Sequence, residues 1–515
     1  MQSRDATLAV VASSNLSPWR ANLYLVCLLA AIAVFHLATL RDGHLWGDDF
    51  AMYIHHAQNL VEGRPYADTG YVFNPAVPVY GPRAYPPVFP LLLVPLCGLF
   101  GLNLMPMKVE QVFFILMTLT LVFMLWRRDL GTGYSLALVA ILGFSPALCS
   151  AKDSILSDLP FLFFFYAAVL LLKWTPQAQP QLWIRSALLG LTLYLAIGTR
   201  TVGITLIPGL LFHEWLRYKR INRWTGLPLL LCAMALVAQS WFLGALPGGY
   251  LEQLHSTTAG TVAFNALRYS RTLAGFWAGS VSNAFSFSVL AVIAPLTVVG
   301  LLSARRDLLL LECLLAPYLM LMIFWPFGAG MRYALPVVPW MAFLALSGLR
   351  RLSTRYGPRA WTLAPCGLLL LLALSFGQAY RGADFGTIRE STGLPEFNQL
   401  CETVRKTTLP SDVFIYYRAR ALSLYTQRPA SSYNYRGTPS ELWEYAQKIR
   451  ASYIITTNAF NDEGFLARFV EAHSTNLELA YQNAHFRLYR IRFTSGPASA
   501  SRPDSAAIPP GIVKW

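Results

Sequence analysis

The chain has 515 residues, 55% of them hydrophobic and only 13% charged; this is too apolar for a soluble protein and identifies a multi-span membrane protein. The net charge of +15 does not point to nucleic acid, because most Arg and Lys stand in short clusters between apolar runs, the pattern that orients helices in a bilayer. The seven cysteines are scattered, with no CxxC or CxH spacing, which excludes a zinc cluster and a disulfide framework.

The first apolar run, residues 22–40, carries no charge and is long enough to cross a bilayer. It lacks a small-residue cleavage site and reads as a retained anchor with the N-terminus cytoplasmic. Further apolar segments follow at 86–101, 109–126, 134–150, 159–173, 183–198, 201–216, 226–244, 283–303, 308–325, 333–349 and 361–378. The clusters Arg127–Arg128, Lys173 with Arg185, Arg217–Arg223, Arg305–Arg306 and Arg350–Arg359 share the side of Arg4 and Arg20 only if 86–101 does not span. We therefore expect eleven spanning helices, with PPVFPLLLVPLCGLFG, punctuated by Pro90 and Pro95, as a membrane-surface or re-entrant element. The same parity places outside the loop 41–108, the turns 150–158, 198–200 and 327–332, the loop 245–282, and everything after about residue 379.

That tail changes character. DVFIYY (412–417) and SYIITTN (452–458) read as buried strands, ELWEYAQKI (441–449) and GFLARFVEAH (464–473) as amphipathic helices, and LELAYQNAHFRLYRIR (477–492) as a hairpin. The expected organisation is a membrane domain over 1–379, an α/β domain outside the membrane over 380–494, and a disordered Pro/Ser/Ala-rich tail over 495–515.

Chemistry-bearing residues collect on the outer side. In GDDFAMY a helix starting near Asp49 puts Phe50, Ile54, Ala57 and Val61 on an apolar stripe and Asp49, Tyr53 and His56 on another face. One aspartate would cap this helix; Asp48 and Asp49 together exceed that need. Asp158 in SDLPF has helix-capping grammar, and Arg200 and Arg332 stand at helix ends where arginines reach toward headgroups. Taken together on one side, the acids suit a base or metal ligands and the guanidiniums suit a phosphate. His55 and His56 are neighbours in sequence and point to different faces, a poor metal pair. Tyr85-Pro86-Pro87 reads as architectural punctuation that stiffens the approach to the surface helix.

The succession GDDFAMY, YPPVFPLLL with Phe100-Gly101, SILSDLPFLFFF, GTRTVGITLIPG and MRYALPVVPW resembles the GT-C superfamily of integral-membrane glycosyltransferases, on the branch of protein O-mannosyltransferases and the lipid A aminoarabinose transferase. The resemblance covers about residues 20–380, and the tail is similar to the outer domains of bacterial members. It implies a GT-C fold, a polyprenyl-phosphate sugar donor, and a general base at Asp49 or Asp48 acting on a lipid, glycan or protein acceptor by inverting displacement. It further implies donor-phosphate contacts at Arg200 and Arg332, a supporting acid or metal ligand at Asp158, and Tyr53, His56 and Tyr333 behind them. A divalent cation, with Asp49 and Asp158 as its ligands, would assist the departing phosphate. The aminoarabinose transferase has Lys-Pro-Pro where this chain has Tyr85-Pro86-Pro87. A bacterial inner membrane with the site facing the periplasm follows from the resemblance. The competing readings are a lipid-linked-sugar flippase, a ligase or polymerase using a diphosphate-linked donor, and a non-catalytic glycan-binding member.

Overall fold

The computed structural model describes residues 17–174, 178–243, 253–255, 257–279, 284–303, 309–328, 330–458 and 463–493. In chain order its helices are α1 (Pro18–Ala38), α2 (Asp49–Val61), α3 (Val88–Phe100), α4 (Leu104–Leu130), α5 (Thr132–Gly143), α6 (Pro146–Ala151), α7 (Asp158–Lys173), α8 (Gln179–Thr199), α9 (Leu206–Tyr218) and α10 (Arg223–Leu243). There follow α11 (Ala259–Ala278), α12 (Ala284–Ser303), α13 (Leu309–Phe324), α14 (Met331–Ala334), α15 (Val338–Ser353), α16 (Pro358–Arg381), α17 (Pro395–Thr407), α18 (Ala419–Thr426), α19 (Pro439–Lys448) and α20 (Glu463–Ala472). Helices α1, α4, α8, α10, α12 and the Leu363–Arg381 part of α16 are each long and apolar enough to cross a membrane. The chain is a multi-pass, mainly helical membrane protein.

Proline and glycine subdivide several of the expected segments. The run 134–150 is two helices, because Ser145 accepts a hydrogen bond from the Leu148 backbone N–H and Pro146 takes the first helical position of α6. The run 333–349 is likewise split into α14 and α15. Helix α3 stays on one side of the bundle. Lys108, in the first turns of α4, donates to the Arg41 and Gly43 carbonyls, both at 2.6 Å, just beyond the end of α1. The segment between α1 and α4 therefore leaves and returns at the same end, and α3 lies at that surface.

The stretch 245–282, expected as a loop, contains α11. Its start lies against the end of α13, where Thr257 donates to the Phe324 carbonyl and Asn265 to those of Ile323 and Trp325. At its other end Ser286 and Ser375 donate to the Ala278 and Trp277 carbonyls. Hydropathy misses this helix because Asn265, Arg268 and Arg271 interrupt it. Both of its ends meet the helix ends nearest the site, so it runs along that face. The tail 495–515 lies outside the described residues.

The part beyond the helix bundle is built on a six-stranded sheet of β1 (Tyr71–Val72), β2 (Phe414–Ile415), β3 (Ala430–Ser431), β4 (Tyr453–Thr457), β5 (Leu477–Gln482) and β6 (Phe486–Ile491), in the order β1-β3-β2-β4-β6-β5. Strands β1 to β4 pair in parallel, and β6 runs antiparallel to β4 and β5. The elements expected in the tail are present. The sheet nevertheless crosses the 379/380 division, since β1 belongs to the loop after α1. One hydrophobic core joins the two: Trp46, Phe50 and Phe89 from the loop pack with Phe397, Leu422 and Phe486 from the tail. Gly43 sits at φ +75°, and a Cβ there would strike the Ile388 carbonyl, so the close approach of loop and tail requires glycine.

Candidate active site

Helix α2 carries its polar face toward the junction of bundle and tail. Phe50, Ile54 and Ala57 are fully buried, whereas Val61, the last residue of the expected stripe, is exposed. Asp49, at the first helical position, has both carboxylate oxygens engaged. Oδ1 accepts from Tyr85 Oη at 2.8 Å and faces Arg420 Nη1 at 3.4 Å, and Oδ2 accepts from Arg332 Nη1 at 3.0 Å.

Arg332 bridges two acids. Its Nε donates to Asp158 Oδ2 at 3.1 Å, while Asp158 Oδ1 accepts from Arg200. Ser157, not Asp158, is the cap of α7, and its side chain makes no capping bond; the Asp158 carboxylate is committed to the two arginines instead. Arg200 ends α8 in an extended conformation, and its guanidinium lies 5.1 Å from the centre of the Tyr333 ring. The residues collected from the outer turns, Asp49, Asp158, Arg200 and Arg332, thus form one ion-paired chain.

Tyr53 and His56 stand behind it. The Tyr53 ring stacks on Tyr85 at 4.5 Å and its hydroxyl pairs with Ser157 Oγ at 2.9 Å. His56 Nε2 accepts the Tyr85 backbone N–H, so Nδ1 carries the hydrogen and donates to the Tyr66 carbonyl at 2.7 Å. Burial pushes this imidazole down to about 3, and it works as a neutral brace for Tyr85. Tyr85 is therefore a member of the site and not punctuation alone.

Arg420, from α18 in the tail, completes the site. It is buried to 2% side-chain exposure, and Nη1 donates to Tyr85 Oη at 2.8 Å. Its Nη2 donates to the Tyr80 and Pro82 carbonyls, and the guanidinium lies over the Tyr71 ring at 4.7 Å. No local signal in ARALSLYT distinguishes it; only the folding of the tail onto the loop reveals it.

The two adjacent aspartates separate in environment. Asp48 is 5% exposed, makes no side-chain cap bond, and has an oxygen without a partner among the described residues. Burial pushes its carboxyl up to about 6, against the charges of Arg418 and Arg420 and a hydrogen bond from the Arg420 backbone at the start of α18. For Asp49 burial acts in the same direction, but Arg332, Arg420 and the Tyr85 hydrogen bond outweigh it and hold the carboxyl down at about 2. With 30% of its side chain exposed, Asp49 is the acid a ligand can reach.

As a cation site this donor set does not fit as it stands. Arg332 already neutralises both Asp49 and Asp158, and among the described residues no group of three His, Cys, Asp or Glu could hold a metal ion. An open groove of about 490 Å³ is lined by Phe264, Leu267, Arg268, Arg271 and, next to Arg332 in the chain, Met331, among others.

No family model matches the chain, and no curated protein does. Solved structures do. ArnT from Cupriavidus metallidurans bound to undecaprenyl phosphate superposes with TM-score 0.59 at 14% identity, over 90% of this chain and 97% of that one. The archaeal oligosaccharyltransferase AglB from Archaeoglobus fulgidus, in complex with an inhibitory peptide and a dolichol-phosphate, gives 0.55 at 12% identity, over 85% of this chain and 70% of its own. The mycobacterial arabinofuranosyltransferase AftD gives 0.51 at 15% identity, over 93% of this chain and 42% of its own. At such identities the likeness is one of fold, and it meets the fold expected from the motifs.

Proposed function

From the GT-C fold of integral-membrane glycosyltransferases, which this chain has, we propose that it transfers a sugar from a polyprenyl-phosphate donor to an acceptor hydroxyl at the outer face of a bacterial inner membrane. The observation that carries this reading is the chain Asp49–Arg332–Asp158–Arg200, an ionised acid a ligand can reach beside guanidiniums suited to a phosphate. The lipid-bound neighbours, with undecaprenyl phosphate in ArnT and dolichol-phosphate in AglB, support a donor of that class. The groove that ends at Met331, apolar along Phe264 and Leu267, offers the lipid chain a path.

In this mechanism the donor phosphate takes Arg200 and Arg332, loosening Arg332 from Asp49 Oδ2. An acid held at about 2 is a weak base; neutralising its arginine partner raises its proton affinity when the donor is in place. Asp49 then removes the acceptor hydroxyl proton as that oxygen bonds to the anomeric carbon, and the bond from that carbon to the phosphate oxygen breaks with inversion. The charge left on the phosphate falls to Arg200 and Arg332. Tyr85 and Arg420 hold Asp49 in register through Oδ1.

A flippase would be expected to carry polar groups near the bilayer midplane and to open to both faces. Here the ion-paired chain of Asp49, Arg332, Asp158 and Arg200 lies at one end of the bundle. The deciding experiment follows label from a panel of polyprenyl-phosphate sugars in reconstituted protein with membrane extract as acceptor. Asp49→Asn should cut transfer by about 10²–10⁴, the usual worth of a general base, while Asp48→Asn keeps most of it. Equal loss in both variants, or label crossing the vesicle without transfer, overturns the assignment.

A further inference from the structure

A strip of aromatic rings and guanidiniums runs from the candidate active site across the seam between loop and tail. Arg420, whose Nη1 faces Asp49, donates through Nη2 to the Tyr80 carbonyl. The Tyr80 ring meets Tyr417 edge-on at 5.9 Å, and Tyr417 meets Tyr435 edge-on at 5.9 Å. Three arginines accompany these rings: Arg83 lies 5.4 Å from the Phe73 ring centre, Arg418 4.6 Å from Tyr417, and Arg436 5.7 Å from Tyr435. Phe73, Tyr80 and Arg83 belong to the loop and the rest to the tail, so the strip crosses the seam that the β1–β3 pairing helps to close. Arg83 and Arg436 are exposed and form no ion pair among the described residues.

We infer that this strip binds the acceptor, and that the acceptor is an anionic glycan. Tyrosine rings offer flat apolar faces to the C–H faces of sugars, with a polar edge for their hydroxyls. Guanidiniums held against rings are weakly hydrated and bind carboxylate or phosphate in a planar fork. Tyr80 and Tyr417 are half-buried between loop and tail, within reach of a chain-like ligand and recessed from a flat membrane surface. The acceptor role rests on the glycosyltransferase reading; the binding of an anionic glycan does not.

The test uses the full chain in detergent, without donor, and titrates tetragalacturonate against neutral maltotetraose by calorimetry. Tetragalacturonate should bind about tenfold or more tightly than maltotetraose, with an affinity that falls as salt rises. Arg83→Gln/Arg436→Gln should weaken it about tenfold with an unchanged thermal midpoint, and Arg83→Lys/Arg436→Lys should recover part of that loss. Because binding is read without donor and without transfer, failure of the transfer reading remains distinguishable from failure of this one. Equal affinity for the two tetrasaccharides, or binding of neither, overturns the inference. So does a double variant that loses only its affinity for phosphatidylglycerol vesicles, which would make the strip a membrane contact.

Discussion

Asp48 and Asp49 are adjacent in the chain and opposite in charge preference, and that difference has a measurable signature. The folded state favours neutral Asp48, whose carboxyl is pushed up from the ordinary 3.8 to about 6. Its stabilising contribution is full below about pH 4 and is lost as pH rises through about 6. Asp49, held down at about 2, stabilises above pH 3.8 and loses that only as pH falls through 2. Between those limits Asp48 alone of the pair changes state. Asp48→Asn, which stays neutral, should therefore gain stability relative to wild type by up to about 3 kcal/mol between pH 4 and 7. Thermal midpoints of the two proteins across that range read the difference directly; a gap that does not change with pH would show that Asp48 is not held in this way. At this scale the sequence made much of the site legible. Loop parity alone put Asp48, Asp49, Asp158, Arg200 and Arg332 in one compartment, because charges are rare in an apolar chain and their side follows from helix order. Parity has no means of pairing them, and neither Arg420 nor the hydroxyl of Tyr85 has a periodicity or flanking motif that points to Asp49.

The elements divide by length. Long apolar runs announce themselves through composition, whereas β1 is a two-residue ladder whose partner β3 lies hundreds of residues away in the chain. The strip from Tyr80 to Tyr435 and the approach of Arg420 both cross the seam that this pairing helps to close. The backbone hydrogen bonds around β3 permit a selective cut. Ala430 N–H donates to the Gly70 carbonyl at 2.9 Å, on the β1 side, while β3 meets β2 through the Pro429 and Ser431 carbonyls, which accept from Phe414 and Tyr416. Of the backbone hydrogen bonds around β3, proline at 430 removes the one whose donor is directed at the loop. Ala430→Pro should leave the tail's own sheet intact but loosen its grip on the loop, costing about 1 kcal/mol for the lost bond and lowering transfer as Arg420 drifts from Asp49. Faster amide exchange confined to residues near β1, with β4 and β6 unchanged, is the expected pattern; exchange that rises throughout the sheet would mean that β1 supports the whole tail fold.

At the scale of the molecule, the membrane bundle and the outward α/β part share one core and one site, although composition separates them near residue 380. Trp46 packs edge-on against Phe397 and Phe486, Asn74 donates to the Ser432 carbonyl, Ser423 donates to the Thr69 carbonyl, and Ile388 N–H bonds the Asp42 carbonyl. None of these contacts requires the covalent link, which passes through an exposed stretch over 381–387. An interface with a fully buried apolar centre behaves as a permanent one. A protease site inserted between Gly382 and Ala383 and cleaved after purification should therefore leave the tail bound, co-eluting in gel filtration at micromolar concentration, as expected for a dissociation constant below about 1 μM. Because its central contacts are apolar, retention should survive high salt, where exposed ion pairs such as Arg41 with Asp384 are screened. Transfer should persist in the nicked protein and disappear when mild denaturant strips the tail, since Arg420 leaves with it. A tail that separates on cleavage while the membrane part keeps its activity would show that the outward part is an accessory domain and that Asp49 is held by the membrane bundle alone.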